Sequence, residues 1–285
     1  MMRSMFSGVS GLRTHQTMMD VLSSNISNVN TFGYKSQRTT FKDALTQNLS
    51  GAGAPTATMG GTNPRQVGLG MTLSSIDNLM TQGNAQSTGN VTDMMIQGDG
   101  YFRLAKGDQF TGANLNAGAA EVYTRAGNFT FDAQGYLVNA QGFYVVGFGV
   151  NGANPNPAVQ IRLQVDPTNT QAINVASNGA VNQIDNAGNS TTIGFVSLAK
   201  FRNAAGLERA ADNLWRVSNN SGAAITGSPG GTGLGQIVPG ALEMSNVDLA
   251  LEFTNMIIAQ RGFQANGKAI TASDEMLQEL VNLKR

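Results

Sequence analysis

Residues 249–283, LALEFTNMIIAQRGFQANGKAITASDEMLQELVNL, form the longest stretch of this chain with a helical repeat of apolar residues. The apolar positions follow two separate stripes. The first stripe fits a heptad frame and consists of Leu249, Phe253, Met256, Phe263, Ile270, Leu277 and Val281. The second consists of Leu251, Ile258, Gly262, Ala265, Ala269, Ala272, Met276, Leu280 and Leu283. Because a helix with two apolar faces needs more than one neighbour, this segment predicts contacts with at least two other helices.

A second helical repeat begins the chain and runs from Met2 to Val29 without an intervening proline. Its apolar positions are Met2, Met5, Val9, Leu12, Met19, Leu22, Ile26 and Val29. The spacing predicts an amphipathic helix, which we expect to pair with residues 249–283 in a coiled-coil layer. One such helix cannot cover both apolar faces of its partner. We therefore expect the remaining face to contact other copies of the chain.

The middle of the chain has the sequence pattern of β structure. Gln160 to Asp166 alternates apolar and polar residues, and Asn178-Gly179 between two apolar runs is a strong hairpin signal. Many short strands without helical stretches between them predict an antiparallel β barrel or sandwich over residues 89–218. The fold class is therefore α+β, with 1–35 and 243–285 in one helical domain. Residues 36–88 and 219–242, rich in Gly, Thr, Ser and Pro, are expected to be extended connectors.

The composition excludes several classes of function. Lys and Arg number 18, as do Asp and Glu, so the formal net charge is zero and nothing favours nucleic acid as a partner. There is no cysteine and one histidine, which excludes disulfides, thiol catalysis and a multi-histidine metal centre. We find no converging nucleophile and base, and so expect no enzyme, no cofactor and no metal. We find neither a long apolar run nor a cleavable signal, and so expect no insertion into a membrane.

Three motifs resemble one known family. Residues 22–35, LSSNISNVNTFGYK, are similar to a signature of bacterial flagellar axial proteins of the rod and hook. Residues 242–283 resemble the C-terminal helix of that family, and the stretch from Thr88 to Phe102 resembles the start of its β domain. The signature residues in this chain are Asn25, Asn28, Asn30, Gly33 and Lys35. The asparagines supply uncharged hydrogen-bonding groups, and Gly33 permits a left-handed exit from the helix.

The resemblance implies a structural subunit of an extracellular tube made of repeated copies. Asn213-Leu214-Trp215 and the residues that close the chain resemble the hook subunit most, which implies a flexible joint that transmits motor torque. The resemblance also implies export by the flagellar type III apparatus without a cleaved leader. The implied partners are further copies, the hook cap, the distal rod and the proteins of the hook–filament junction.

Two alternatives to the hook remain open at this point. The distal rod subunit is the nearer one, because hook proteins commonly carry an extra outer β domain for which 285 residues leave no room. The other, from a different class, is a secreted β-rich binding module whose helical ends serve only as a stalk.

Overall fold

A computed structural model describes residues 2–56, 58–116, 118–151, 154–231 and 233–283. Lys284 and Arg285, the last residues of the predicted helical domain, lie outside the described residues. The chain forms two compact units. The first, called the helical unit below, comprises Met1–Ser27, Gln37–Leu79 and Val247–Arg285, and the second, called the β unit, comprises Asn28–Ser36 and Met80–Asn246.

Two long helices dominate the helical unit, as the apolar repeats predict. Helix α1 spans Met2–Ser27 and helix α2 spans Leu249–Asn282. Helix α1 ends two residues before the predicted boundary, and the backbone N–H of Thr31 donates to the carbonyl of Asn28 in the turn that follows. Helix α2 begins after Asp248, whose carboxylate accepts hydrogen bonds from two backbone N–H groups of the first turn.

Two antiparallel strand pairs complete the helical unit. Their strands are β1 (Gln37–Asp43), β2 (Thr46–Ser50), β3 (Arg65–Gly68) and β4 (Met71–Asn78). Strand β1 pairs with β4, with a bulge at Thr40 and Phe41, and β2 pairs with β3. The 36–88 segment therefore contains β structure, and most of it belongs to the helical unit. The other predicted connector, 219–242, belongs to the β unit.

The β unit is antiparallel, as predicted from the many short strands. Its strands are β5 (Ala85–Ser87), β6 (Met94–Gln97), β7 (Tyr101–Ala105), β8 (Phe110–Thr111), β9 (Asn114–Leu115), β10 (Val122–Thr124), β11 (Phe129–Phe131), β12 (Leu137–Asn139), β13 (Tyr144–Asn151), β14 (Asn154–Arg162), β15 (Thr170–Val175), β16 (Ala180–Asp185), β17 (Ser190–Val196), β18 (Leu198–Lys200), β19 (Glu208–Arg209), β20 (Leu214–Arg216), β21 (Ile225–Gly227), β22 (Gln236–Pro239) and β23 (Ala241–Glu243).

The main sheet of the β unit is open. Its central order is β15-β16-β17-β13-β7-β10-β20-β19, so it has two free ends, and no closed barrel is present in the described part of the chain. The barrel named in the prediction is therefore not observed. The core of this unit is apolar and includes Phe102, Phe129 and Leu137, all fully buried. Two small pairings, β22 with β6 and β23 with β5, bring the residues before α2 into the same unit.

Candidate assembly site

Several glycines and polar residues take part in the contact between α1 and α2. A Cβ atom on Gly8 would lie 3.0 Å from Cγ1 of Ile270, and one on Gly11 would lie 2.6 Å from Nδ2 of Asn266. The reverse arrangement follows one turn on, where a Cβ on Gly262 would lie 2.6 Å from Cε1 of His15. The space beside each of these glycines is thus occupied by a side chain of the other helix. This contact surface, called the seam below, allows close approach of the two backbones.

Polar pairs lie at both ends of the seam. The hydroxyls of Ser4 and Ser273 are 3.3 Å apart. At the other end Nδ2 of Asn25 donates to Oε1 of Glu252 at 3.2 Å and to the carbonyl of Gln37 at 2.8 Å. The Oδ1 atom of Asn25 accepts from the backbone N–H of Gln37 at 3.0 Å. The first signature asparagine therefore joins α1, α2 and β1.

Glu252 is the one carboxylate of this polar end. The side chain is buried, and its Oε2 atom has no hydrogen-bond partner among the residues that the structure describes. Burial raises the pKa of Glu252 above its ordinary value, although the hydrogen bond from Asn25 opposes the shift. The surroundings of Glu252 in the folded chain therefore favour its neutral form over its charged form.

Eight of the seventeen apolar positions predicted to pack the helices are exposed to solvent. Leu22 is buried, and Ile270 contacts the seam at Gly8. The half-buried positions besides Ile270 are Met5, Leu12, Met19, Ile26, Val29, Met256 and Leu277. The exposed positions are Val9, Leu249, Leu251, Phe253, Ile258, Phe263, Met276 and Leu280.

The geometry of α2 explains this distribution. At 100° per residue, the seam residues Glu252, Ala259 and Ser273 fall between the two predicted apolar stripes. The stripes therefore flank the seam, one on each side, and neither is covered by α1 alone. Large side chains such as Phe253 and Ile258 are more than half exposed as a result. Ile257, also exposed, was not included in either stripe.

Two further apolar surfaces in the helical unit were not predicted. Phe6 and Val9 of α1 line a groove together with Met71 and Leu73 of β4. Every residue of β2 and β3 is exposed, so this hairpin has solvent on both faces. The exposed apolar residues on or next to that hairpin are Leu45, Leu49, Met59 and Val67. Exposed apolar residues grouped in one groove or on one hairpin are candidates for a protein–protein contact.

The signature turn, residues 28–35, belongs to the β unit. Gly33 fits there because it has no side chain. Its φ is 68°, in the left-handed region that favours glycine, as the sequence predicts. Its backbone N–H donates to the carbonyl of Glu243 at 2.8 Å. A Cβ atom at this position would lie 2.5 Å from the backbone nitrogen of Ala126. Both the backbone conformation and the packing therefore require glycine.

Lys35 ends the signature turn in a buried ion cluster. Its Nζ donates to Oε1 of Glu243 at 2.6 Å and to the carbonyl of Thr81 at 2.8 Å. Nη1 of Arg125 lies 3.3 Å from the other oxygen of Glu243. All three charged side chains are at most 5% exposed. Burial lowers the pKa of Lys35 below its ordinary value, while the attraction of Glu243 opposes the shift.

The partners of Lys35 were not identified from the sequence. Glu243 lies in a motif that resembles the family, LEMSNVDL, but nothing local pairs it with a residue 208 positions earlier. Arg125 gave no signal at all. Of the other signature residues, Asn28 accepts a hydrogen bond from the hydroxyl of Thr31 at 3.1 Å, and Asn30 lies exposed at the turn.

The described residues contain no group of three or more His, Cys, Asp or Glu side chains that could hold a metal ion. Within the same residues, neither helix has a stretch apolar enough to span a bilayer.

Three family models match parts of this chain. The model described as flagella basal body rod protein matches residues 5–35, which include most of α1 and the signature turn. The flagellar hook protein FlgE/F/G D1 domain matches residues 95–183 of the β unit. The C-terminal domain of the flagellar basal body rod FlgEFG proteins matches residues 238–283, which contain Glu243 and α2.

Whole-length relatives carry the same names. The chain is 46% identical over 286 residues to the flagellar basal-body rod protein FlgG of Bacillus subtilis, and 100% of both chains is covered. It is 35% identical over 288 residues to FlgG of Borreliella burgdorferi, again with full coverage. Against the flagellar hook protein FlgE of the same organism it is 31% identical over 452 aligned positions, with 100% of both chains covered. A solved structure, Helicobacter pylori hook protein FlgE2, matches 33% of this chain and 26% of its own at 22% identity and a TM-score of 0.23.

Proposed function

The chain belongs to the family of bacterial flagellar rod and hook proteins, and from that membership we propose that it is a subunit of the distal rod of the basal body. The family consists of structural subunits and not of enzymes, as the sequence predicts. The alternative of a secreted binding module finds no support in this membership.

The alignment lengths support the rod over the hook. The FlgG relatives align with this chain over 286 and 288 positions, almost without insertions. The FlgE relative needs 452 positions, so it contains long segments for which this chain of 285 residues has no counterpart. The sequence motifs favoured the hook through Asn213-Leu214-Trp215 and the residues that close the chain. The comparisons favour the alternative.

In our proposal, the apolar surfaces beside the seam are where copies of the chain meet. Each of the side chains Phe253, Ile258 and Met276 is exposed in a single chain. Burying one such side chain against a neighbour contributes about 1.5–3 kcal/mol. Several of them per subunit supply enough free energy to hold a polymer together, even after the entropy cost of association. The lack of net charge means that neighbouring copies repel each other only weakly.

Labelling of isolated hook–basal bodies tests the rod proposal. An antibody raised against the β unit of this chain should bind the straight segment within the cell envelope, next to the hook. Label along the curved external segment would instead identify the chain as the hook subunit. Export by the type III apparatus and contact with cap and junction proteins remain predictions.

A further inference from the structure

We propose that the buried cluster of Lys35, Arg125 and Glu243 positions the segment that follows α1 and the segment that precedes α2 relative to each other, so that assembly depends on it more than folding does. This inference rests on the proposed function, because it assumes that copies of the chain form a polymer. It assigns a role to two residues, Arg125 and Glu243, outside the signature turn.

The cluster is an expensive way to fill a protein interior. Two cations and one anion are withdrawn from water, and such groups are often replaceable by apolar side chains without loss of stability. The β unit already has an apolar core of its own. What the charges add is direction, because each charge-assisted hydrogen bond requires a particular placement of donor and acceptor.

Both oxygens of the Glu243 carboxylate accept hydrogen bonds. Oε1 accepts from Nζ of Lys35 and from the backbone N–H of Gly83, at 2.6 and 3.0 Å. Oε2 faces Nη1 of Arg125 at 3.3 Å. Arg125 is itself fixed, since its Nη2 donates to the carbonyl of Gly98 at 2.8 Å. The position of Glu243 is thus determined from three sides.

A second set of contacts lies next to the cluster and joins the same two segments. The backbone N–H of Ser36 donates to Oδ1 of Asn246 at 2.8 Å. Nδ2 of Asn246 donates to the hydroxyl of Thr81 at 2.8 Å, and the carbonyl of Thr81 also accepts from Lys35. Together with the bond from Gly33 to the Glu243 carbonyl, these contacts connect residues 33–36 with 243–246 at several successive points. These two connected segments, residues 33–36 and 243–246, are called the joint below.

The joint matters for assembly because a helical polymer repeats one geometry at every subunit. The two segments are continuous with α1 and α2, which carry the apolar surfaces. Loosening the joint lets residues 33–36 and 243–246 move relative to each other, so that copies of the chain no longer share one conformation of these two segments. We therefore expect a variant of the joint to lose incorporation into the polymer out of proportion to its loss of stability.

The test compares Glu243→Gln with Glu121→Gln. Glu121 pairs with the buried Arg103 elsewhere in the β unit, so both substitutions neutralise a carboxylate bound to a buried arginine. Unfolding curves of the purified chains give the loss of stability for each variant, against which its loss of incorporation is compared. We then measure the amount of the chain in basal bodies isolated from cells that carry only the variant. This amount should be at least tenfold lower than wild type for Glu243→Gln and should not be reduced for Glu121→Gln.

Asn246→Ala is a second variant that keeps the test valid if the Glu243→Gln chain does not fold. It removes the second set of contacts without leaving a buried charge unpaired, and it too should reduce incorporation. Wild-type incorporation of Glu243→Gln or of Asn246→Ala, or an equal loss for Glu121→Gln, would overturn the inference. Incorporation is scored relative to wild type, and rod and hook subunits both polymerise. A failure of the rod assignment in the labelling experiment would therefore leave this result unaffected.

Discussion

Gly262→Ala tests the seam, because the structure assigns the space above this glycine to a histidine. A Cβ at position 262 would lie 2.6 Å from Cε1, 2.7 Å from Nε2 and 3.1 Å from Nδ1 of His15. These distances are shorter than van der Waals contact, so the imidazole would have to move. Gly267, in the same helix, has nothing within 4 Å of the corresponding point and serves as the matched control.

Gly267→Ala should stabilise the chain, whereas Gly262→Ala should leave its stability unchanged or lower it. Alanine in place of glycine inside a helix stabilises it by about 1 kcal/mol, which is the whole expected effect of Gly267→Ala. At position 262 the same gain is offset by overpacking, which costs about 1–3 kcal/mol. We therefore expect the Gly262→Ala chain to be less stable than the Gly267→Ala chain by about 1–3 kcal/mol.

Urea unfolding followed by far-ultraviolet circular dichroism measures this difference. The double variant Gly262→Ala with His15→Ala should recover most of the loss, because the two residues are in contact and their effects are not additive. If Gly262→Ala and Gly267→Ala stabilise the chain equally, the seam does not form as described.

Three further substitutions probe single interactions, each followed by unfolding of the purified chain. Gly33→Ala should cost about 2 kcal/mol or more, because alanine is strained at positive φ and its Cβ would overlap Ala126; a loss below about 0.5 kcal/mol would contradict the packing of the turn. Asp248→Ala should cost about 1 kcal/mol through loss of the N-terminal cap of α2, and an unchanged midpoint would argue against that cap. Glu252 has a raised pKa in the folded chain, so its contribution to stability is present below its ordinary pKa and is lost as the pH rises through its pKa in the folded chain. Glu252→Gln, whose side-chain oxygen can still accept from Asn25, should remove that part of the pH dependence of stability. An unchanged pH profile would refute the raised pKa of Glu252.

The sequence predicted both terminal helices because their apolar repeats are long and contain no proline. It did not predict which residues join them. Periodicity directs attention to large apolar residues such as Phe253 and Ile258, whereas the seam uses Gly8, Gly11 and Gly262. In our proposal these apolar surfaces contact neighbouring copies, so the largest side chains need not lie in the intramolecular contact.

The signature turn shows the same limit at closer range. The left-handed conformation of Gly33 follows from local rules, and it was predicted. The pairing of Lys35 with Glu243 and Arg125 depends on three segments that only the folded β unit brings together. Strand order is likewise not encoded in any one strand, which is why the prediction left a barrel or a sandwich open and only the structure shows a main sheet with two free ends.

Ile258→Asp tests the central claim, that the apolar positions beside the seam hold neighbouring copies together. Ile258 is 59% exposed in the single chain. The control is Gln264→Asp, which adds the same charge at another exposed position of α2. We measure the amount of each chain in isolated basal bodies, together with its unfolding curve. Both variants should fold as wild type does, and only Ile258→Asp should be absent from the basal bodies. Wild-type incorporation of Ile258→Asp would contradict the account.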